Sequence, residues 1–162
     1  MKKLIIANWK LNPTSVKDAK KLASAIAVKA KHKVVLCPPM VYLSEVDYPN
    51  IGSQDIFWQE KGAFTGQVSP LMLKDLGVKY SIIGHSEKRQ VGESDGQINF
   101  KIRTALEHKI IPVLCVGFGT TVEQDDLEEV PFSQFDGLGR AYELFGDKLT
   151  AILEELNGRL AA

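Results

Sequence analysis

The sequence predicts an α/β protein in which about six strand–helix units build a parallel sheet. Continuously apolar runs, such as KVVLCP at 33–38 and IIPVLCVG at 110–117, alternate with segments of helical periodicity. Strands that are apolar on both faces are typical of parallel sheets covered by helices. The 162 residues are enough for one domain, and we predict that it extends over 1–162.

Three strands and two helices are predicted in the first half of the chain. Apolar runs bounded by turn residues mark the strands at 3–7, 33–38 and 51–57. Ser15 is the expected N-cap of a helix over 15–30. The residues at helical spacing that predict its buried face are Val16, Ala19, Leu22, Ala23, Ile26 and Ala27. A short helix opens at Ser69-Pro70, because proline is favoured at the first helical position, and Gly77 ends it.

The same alternation continues towards the C-terminus. The predicted elements are a strand at 79–85, a helix at 94–108, a strand at 110–117, a short helix at 122–130, a strand at 135–139 and a helix from Asp147. The buried face of the helix at 94–108 is predicted by Ile98, Ile102, Ala105 and Leu106. The polar residues at 86–89 are interpreted as the start of a loop.

Composition favours a cytoplasmic protein that binds neither nucleic acid nor membrane. Twenty basic and 20 acidic residues give no net charge that would attract a polyanion. The first residues contain too short an apolar run for a signal peptide, and no run reaches the ~20 apolar residues of a membrane span. Cys37 and Cys115 lie in apolar runs without a CxxC partner, so we expect buried free thiols, no metal site and no cofactor.

Polar side chains follow two predicted strands at their C-terminal ends, where catalytic residues of α/β folds lie. Asn8 and Lys10 end the first strand, and strand alternation predicts that they share a face. A lysine at this position favours an anionic ligand, with a lysine on an exposed loop as the alternative. His85 ends the strand at 79–85 and is a candidate general acid or electrophile, with a hydrogen-bonded core histidine as the alternative.

These residues lie in segments that resemble the triosephosphate isomerase family. The resemblance covers 1–117 almost continuously and is carried by ANWKLN at 7–12, GAFTGQVSPLMLKDLGVKYSIIGHSEKRQ at 62–90, GESD at 92–95 and ALEHKIIPVLCVG at 105–117. It implies a TIM barrel. It also implies an isomerase that interconverts dihydroxyacetone phosphate and glyceraldehyde 3-phosphate in glycolysis and gluconeogenesis, without a cofactor.

The resemblance also implies roles for individual residues. Lys10 and His85 match the family's catalytic lysine and histidine, and Asn8 matches its substrate-binding asparagine. Ser86 matches the serine that supports the active site, and Glu87 matches the acidic residue that follows the histidine; both are assigned to substrate binding. The loop residues that would reach into a neighbouring subunit are Phe64, Thr65 and Gly66. The implied partners are a small phosphorylated triose or inorganic anion and, in a homo-oligomer, a second copy of the chain.

The strong resemblance stops at Gly117. In the family, a sixth strand ending in a motif like YEPVWAIGTG supplies the general-base glutamate and the lid, and 118–162 contain no such motif. Instead, 118–162 resemble the family's last two strand–helix units more weakly, which implies an internal deletion of about 90 residues relative to a barrel of about 250. We therefore predict a truncated TIM barrel that is either incomplete or closed by oligomerisation. Its edge strands would be covered by a second subunit or by 118–135.

The weaker resemblance implies a partly preserved phosphate site. Its residues are Gly119, Thr120, Thr121, Gly137 and Gly139. Backbone amides there would hold an oxyanion, although a simple turn at 118–121 is the alternative. Arg140 stands where the family has a second glycine, and it would either add a cation for the phosphate or fill the site. Obstruction is the preferred interpretation, because glycine there permits close approach of the backbone.

Enolisation needs a base that removes a carbon-bound proton, and the family's glutamate is missing. Glu123 and Glu143 are the only substitutes that can be named. Removing a positioned base typically forfeits about 10²–10⁴ in rate, so we predict little or no isomerase activity. The alternatives are a non-catalytic phosphate-ligand or interaction module and a barrel fragment without a function of its own.

Overall fold

The computed structural model of the protein describes residues 4–27 and 33–116. The contacts divide these residues into two compact units. The first comprises 4–27, 33–83 and 100–113, and the second comprises 84–99 and 114–116. The elements and phosphate-site residues predicted within 117–162 lie outside the described residues, so the single domain over 1–162 stays a prediction.

Strands and helices alternate along the described chain, which confirms the predicted α/β class. The elements are β1 (Leu4–Asn8), α1 (Val16–Ala27), β2 (Lys33–Cys37), a 3-10 turn (Met40–Tyr42), β3 (Gly52–Ser53), α2 (Pro70–Asp75), β4 (Tyr80–Ile83), α3 (Ser86–Gln90), α4 (Asp95–Glu107) and β5 (Ile111–Leu114). None of the helices in 4–27 or 33–116 is long and apolar enough to cross a membrane.

The described strands form two open sheets. β1 and β2 are parallel, in register from Leu4 opposite Lys33 to Asn8 opposite Cys37. The other sheet has the order β3-β4-β5, and β3 is parallel to β4. A single parallel bridge between Leu36 and Ile51 connects β2 to the start of β3. The parallel pairs agree with the predicted sheet type, while the six-unit count and the closure of the barrel stay predictions.

Three elements differ from the sequence-based expectation, and the first is β5, which covers only Ile111–Leu114 of the strand predicted at 110–117. The strand predicted at 51–57 is only two residues long, because the N–H groups that follow β3 bond outside the ladder. Ile56 N–H donates to Asp55 Oδ1 at 2.9 Å, and Phe57 N–H donates to Val68 O at 2.9 Å. A further difference is α3, a short helix where the sequence predicts the start of a loop.

The predicted helix signals are confirmed where they rest on capping. Ser15 Oγ accepts the Asp18 N–H at 3.1 Å, as an N-cap does. Ser69 Oγ accepts the Met72 N–H at 3.2 Å, with proline at the first helical position. Gly77 follows α2 with φ of 73°, a conformation that favours glycine at a helix C-terminus.

The predicted core is confirmed for three of the four residues in α4, where Leu106 is only half-buried, and is partly right for α1. Ile98, Ile102 and Ala105 are fully buried or nearly so. In α1 the predicted core residues Ala19 and Ala23 are buried, but Val16 and Leu22 are about two-fifths exposed. The apolar period alone predicted a wider buried face than the described structure shows.

Candidate active site

The chain turns immediately after β1 and places Lys10 in the turn. The Lys10 N–H donates to Asn8 Oδ1 at 2.9 Å, and the Asn12 N–H donates to Trp9 O at 3.0 Å. Lys10 has φ of 54°, in the left-handed region that residues other than glycine rarely adopt. The predicted shared strand face of Asn8 and Lys10 is therefore wrong, because strand alternation ends at Asn8. The two residues are nevertheless brought together, through the side chain of one and the backbone of the other.

The side chain of Gln54 completes this turn from the other side. Gln54 follows β3, and its Nε2 donates to Lys10 O at 2.8 Å and to Cys37 O at 2.9 Å. Cys37 O also accepts the Trp9 N–H at 3.0 Å. Both backbone polar groups of Lys10 are thus bonded to side-chain amides. Sequence reasoning missed Gln54, because the apolar run at 51–57 predicts that this residue lies inside a strand.

A buried ion pair holds the segment that follows Gln54. Lys101 Nζ lies 2.5 Å from Asp55 Oδ1, and the two side chains are 5% and 21% exposed. The pair joins α4 to the chain leaving β3. An ion pair this sheltered from water is a geometric constraint, because separating the two side chains costs each its direct contact with the opposite charge.

The three residues assigned to the subunit-contact loop lie on the surface of the first unit. Phe64, Thr65 and Gly66 belong to the exposed stretch 59–67. The Phe64 ring packs against Phe57 with centroids 4.8 Å apart. The placement is compatible with a role in contacting another molecule, which stays a prediction.

His85 is the N-cap of α3, two residues after the end of β4. Its Nδ1 accepts the Glu87 N–H at 3.2 Å, so this nitrogen carries no proton while the bond is made. The neutral ring then has its proton on Nε2, which can donate to a carbonyl oxygen. The Glu87 carboxylate lies 3.6 Å from the same Nδ1, beyond hydrogen-bond distance. The structure therefore brings His85 and Glu87 together, with Ser86 exposed between them.

The turn that carries His85 is secured by Arg89. Arg89 Nε donates to Gly84 O at 2.9 Å, and Arg89 Nη1 lies 2.5 Å from Asp95 Oδ1. Gly84 has φ of 73°, and an added Cβ would come within 3.2 Å of Arg89 Nη2 and Ile98 Cδ1. The turn therefore needs glycine both for its backbone conformation and for space. Sequence reasoning assigned no role to Arg89 or Gly84.

The two thiols are free, as predicted, but they differ in burial. Cys37 is fully buried, and burial raises the pKa of its thiol to about 12. Cys115 is only partly buried; burial raises the pKa of its thiol, and the Arg89 charge opposes that rise. A thiol whose pKa is raised has little thiolate at neutral pH, so neither cysteine is suited to nucleophilic catalysis.

The site residues thus fall into two groups, one in each unit. The first unit presents Lys10, whose backbone N–H is bonded to Asn8 Oδ1 and whose side-chain ammonium suits an anionic ligand. The second presents a neutral imidazole donor at His85, which suits polarisation of a carbonyl. Among residues 4–27 and 33–116, no three His, Cys, Asp or Glu side chains are arranged to hold a metal ion.

Comparison with known proteins matches the chain to a family model and to several triosephosphate isomerases. The family model for triosephosphate isomerase matches residues 3–147. The triosephosphate isomerase of Thermoanaerobacter pseudethanolicus is 50% identical over 123 residues, which cover 70% of this chain and 50% of the relative. That of Clostridium tetani is 40% identical over 148 residues, covering 85% and 58%, and that of Clostridium botulinum is 41% identical over 180, covering 95% and 72%. The chain spans about half the length of the first of these relatives.

Proposed function

Because the chain belongs to the triosephosphate isomerase family, we propose that it binds a small phosphorylated triose or a related anion. Lys10 and Asn8 would hold the anionic ligand, and His85 would donate from Nε2 to its carbonyl oxygen. The observation that carries this proposal is the Glu87 N–H bond to His85 Nδ1, which leaves the opposite nitrogen as the donor. The corresponding reaction is the interconversion of dihydroxyacetone phosphate and glyceraldehyde 3-phosphate.

We further propose that this chain has little or no isomerase activity. Proton abstraction from carbon needs a positioned base, and residues 118–162 carry no motif like the family's YEPVWAIGTG. Lys10 and His85 cannot replace that base, since both would act as donors to the substrate. A non-catalytic ligand-binding module is the second candidate. It is favoured because the chain keeps the turn at Lys10 but lacks the motif that supplies the base.

A coupled assay and a ligand titration separate these candidates. We expect turnover of glyceraldehyde 3-phosphate at least 10² below that of a full-length relative. We also expect 2-phosphoglycolate to shift the NMR signals of Lys10 and His85, and Lys10→Met to weaken its binding at least tenfold. Turnover like that of the relative would overturn the proposed loss of activity. No binding of 2-phosphoglycolate would leave the chain as a fragment without the family's ligand function.

The assembly and the cellular location of the protein are inferred from the same family. We propose a cytoplasmic homo-oligomer in which the exposed loop residues Phe64, Thr65 and Gly66 contact the partner. The 43% exposure of the Phe64 side chain supports this proposal, because an exposed aromatic ring is typical of an interface. Light scattering should give a mass above the 17.9 kDa of one chain. A Phe64→Ser variant should shift the protein towards the monomer, and an unchanged mass would count against this loop.

The remaining assignments concern 117–162. We propose that Gly119, Thr120, Thr121, Gly137 and Gly139 contribute backbone amides to the phosphate site, in a barrel of about six units. The expected result is that 2-phosphoglycolate shifts the amide signals of these five residues. Signals that stay in place on saturation would remove them from the site.

A further inference from the structure

We propose that Gln54 is a positioning residue for Lys10, acting through the backbone rather than touching the ligand. Its side-chain amide holds the turn from which the Lys10 ammonium would reach an anion. The ligand part of this inference rests on the proposed function. The backbone part does not, and it can be measured without a ligand.

The first argument is the conformation of Lys10. A lysine with φ of 54° needs neighbours that hold it there, because its more relaxed conformations lie at negative φ. Two side-chain amides supply this hold. Asn8 Oδ1 accepts the Lys10 N–H at 2.9 Å, and Gln54 Nε2 donates to Lys10 O at 2.8 Å. If the carbonyl of Lys10 were released, the peptide would be able to rotate and the lysine side chain would leave in another direction.

The second argument is that Gln54 is itself held on both sides. Ser53, which precedes it, is fully buried, and its Oγ donates to Tyr80 O at 3.4 Å. Asp55, which follows it, pairs with the buried Lys101. The Gln54 side chain therefore extends from a fixed backbone, so that its amide holds the Lys10 carbonyl in a fixed position.

The third argument is chemical selectivity at Gln54. Its nitrogen donates to two carbonyl oxygens, those of Lys10 and Cys37. A glutamate would present oxygen to both carbonyls and lose both bonds. Gln54→Glu therefore removes both donated hydrogen bonds while keeping the size of the side chain. Gln54→Met removes them without adding charge.

The ligand-free test is hydrogen exchange at the Lys10 amide. In both Gln54 variants, exchange of the Lys10 N–H should be at least tenfold faster than in the unsubstituted protein. Gln59 is an exposed glutamine in the same segment, so Gln59→Glu and Gln59→Met make the same changes away from the turn. They should leave the Lys10 exchange rate within twofold. Unchanged exchange in the Gln54 variants, or the loss of native spectra in both, overturns the positioning role.

The ligand test is a double-mutant comparison with 2-phosphoglycolate. Gln54→Glu should weaken binding about tenfold when Lys10 is present and less than twofold in a Lys10→Met background. A general structural defect would weaken binding equally in both backgrounds, and that result contradicts the inference. Absence of binding by the unsubstituted protein defeats the proposed function instead, and the exchange measurement then decides the role of Gln54.

Discussion

The two groups of site residues are held in different ways. In the turn at 9–12 that follows β1 (the β1 turn), the carbonyl of Lys10 accepts a hydrogen bond from Gln54, which lies 44 residues further along the chain. In the turn at 84–85 that follows β4 (the β4 turn), the Arg89 side chain donates to Gly84 O from five residues away, and His85 Nδ1 accepts the N–H of Glu87, two residues after it. The Lys10 conformation therefore depends on the tertiary fold, whereas that of His85 depends mainly on its own segment.

This difference has a thermodynamic consequence. A turn held by a distant side chain should lose its conformation together with the sheet that brings that side chain close. A locally held turn keeps its contacts as long as a short stretch of chain stays ordered, which is how partial opening differs from global unfolding. Substitutions behind the two turns should accordingly lower stability by different amounts and over different lengths of chain.

The largest loss of stability is expected from a substitution in the ion pair that follows Gln54. Lys101→Met should lower the free energy of unfolding by about 3 kcal/mol or more, because it leaves the partly buried Asp55 carboxylate without its cation. Urea denaturation followed by circular dichroism measures this loss. The matched control is Lys20, whose pair with Glu45 is equally direct at 2.7 Å but has side chains 55% and 40% exposed. Lys20→Met should cost less than about 1 kcal/mol; equal losses would contradict the role of burial.

A smaller loss of stability is expected when Arg89, which holds the β4 turn, is substituted. Arg89→Met removes the bond to Gly84 O and the pair with Asp95, and it should cost about 2 kcal/mol, since the pair is partly open to water. Hydrogen exchange should quicken mainly at 84–95. Arg103 is exposed on α4 and serves as the control, with a change below about 0.5 kcal/mol for Arg103→Met. Faster exchange throughout β1 and β2 would show that the β4 turn is not locally held.

The conformation of Gly84 itself gives the next effect in size. Gly84→Ala should lower the free energy of unfolding by about 1.5 kcal/mol, because φ is 73° and the added Cβ meets atoms at 3.2 Å. Gly96 is the matched control, since it lies in α4 with its nearest foreign atom, Ser94 Oγ, at 3.8 Å. Gly96→Ala should be neutral or stabilise by up to about 1 kcal/mol. Thermal denaturation of the two variants should thus give shifts of opposite sign or of very different size.

The same contrast explains what the sequence could predict. Caps such as Ser15 and Ser69 were predictable because their signals lie within three residues of their partners. His85 was predictable as a strand-end residue, since β4 has a strong apolar run. Its helix α3 was not, because the cap is an imidazole nitrogen rather than one of the usual Ser, Thr, Asp or Asn oxygens.

The long-range contacts were not accessible from local patterns. The bond between Gln54 and Lys10 exists only because tertiary structure brings the end of β3 close to the turn after β1. The apolar residues Ile56 and Phe57 suggested a longer strand, yet they are buried in a segment that leaves the ladder. Hydropathy reports burial, and it does not distinguish a buried strand from a buried loop.

The smallest expected effect uses the two thiols as reporters of the two turns. Cys37, whose carbonyl accepts from Gln54, has a thiol pKa raised by burial from 9.0 to about 12. The unfolded chain therefore loses this proton first, and the stability that depends on the neutral thiol is complete below pH 9 and falls as the pH rises towards 12. Between pH 8 and pH 9.5, Cys37 should contribute a loss of about 0.8 kcal/mol.

Comparison of two variants isolates this contribution from the other groups that titrate in the same range. Cys37→Ala should reduce the pH dependence of unfolding by about that amount, whatever its stability at pH 8. Cys115→Ala should reduce it less, because burial raises the pKa of Cys115 but the Arg89 charge opposes the rise. Arg89→Met should then increase the contribution of Cys115 to the pH dependence of unfolding and leave the contribution of Cys37 unchanged. If Arg89→Met altered both thiols alike, the two turns would not be independent, and the contrast between a locally held and a distantly held site would fail.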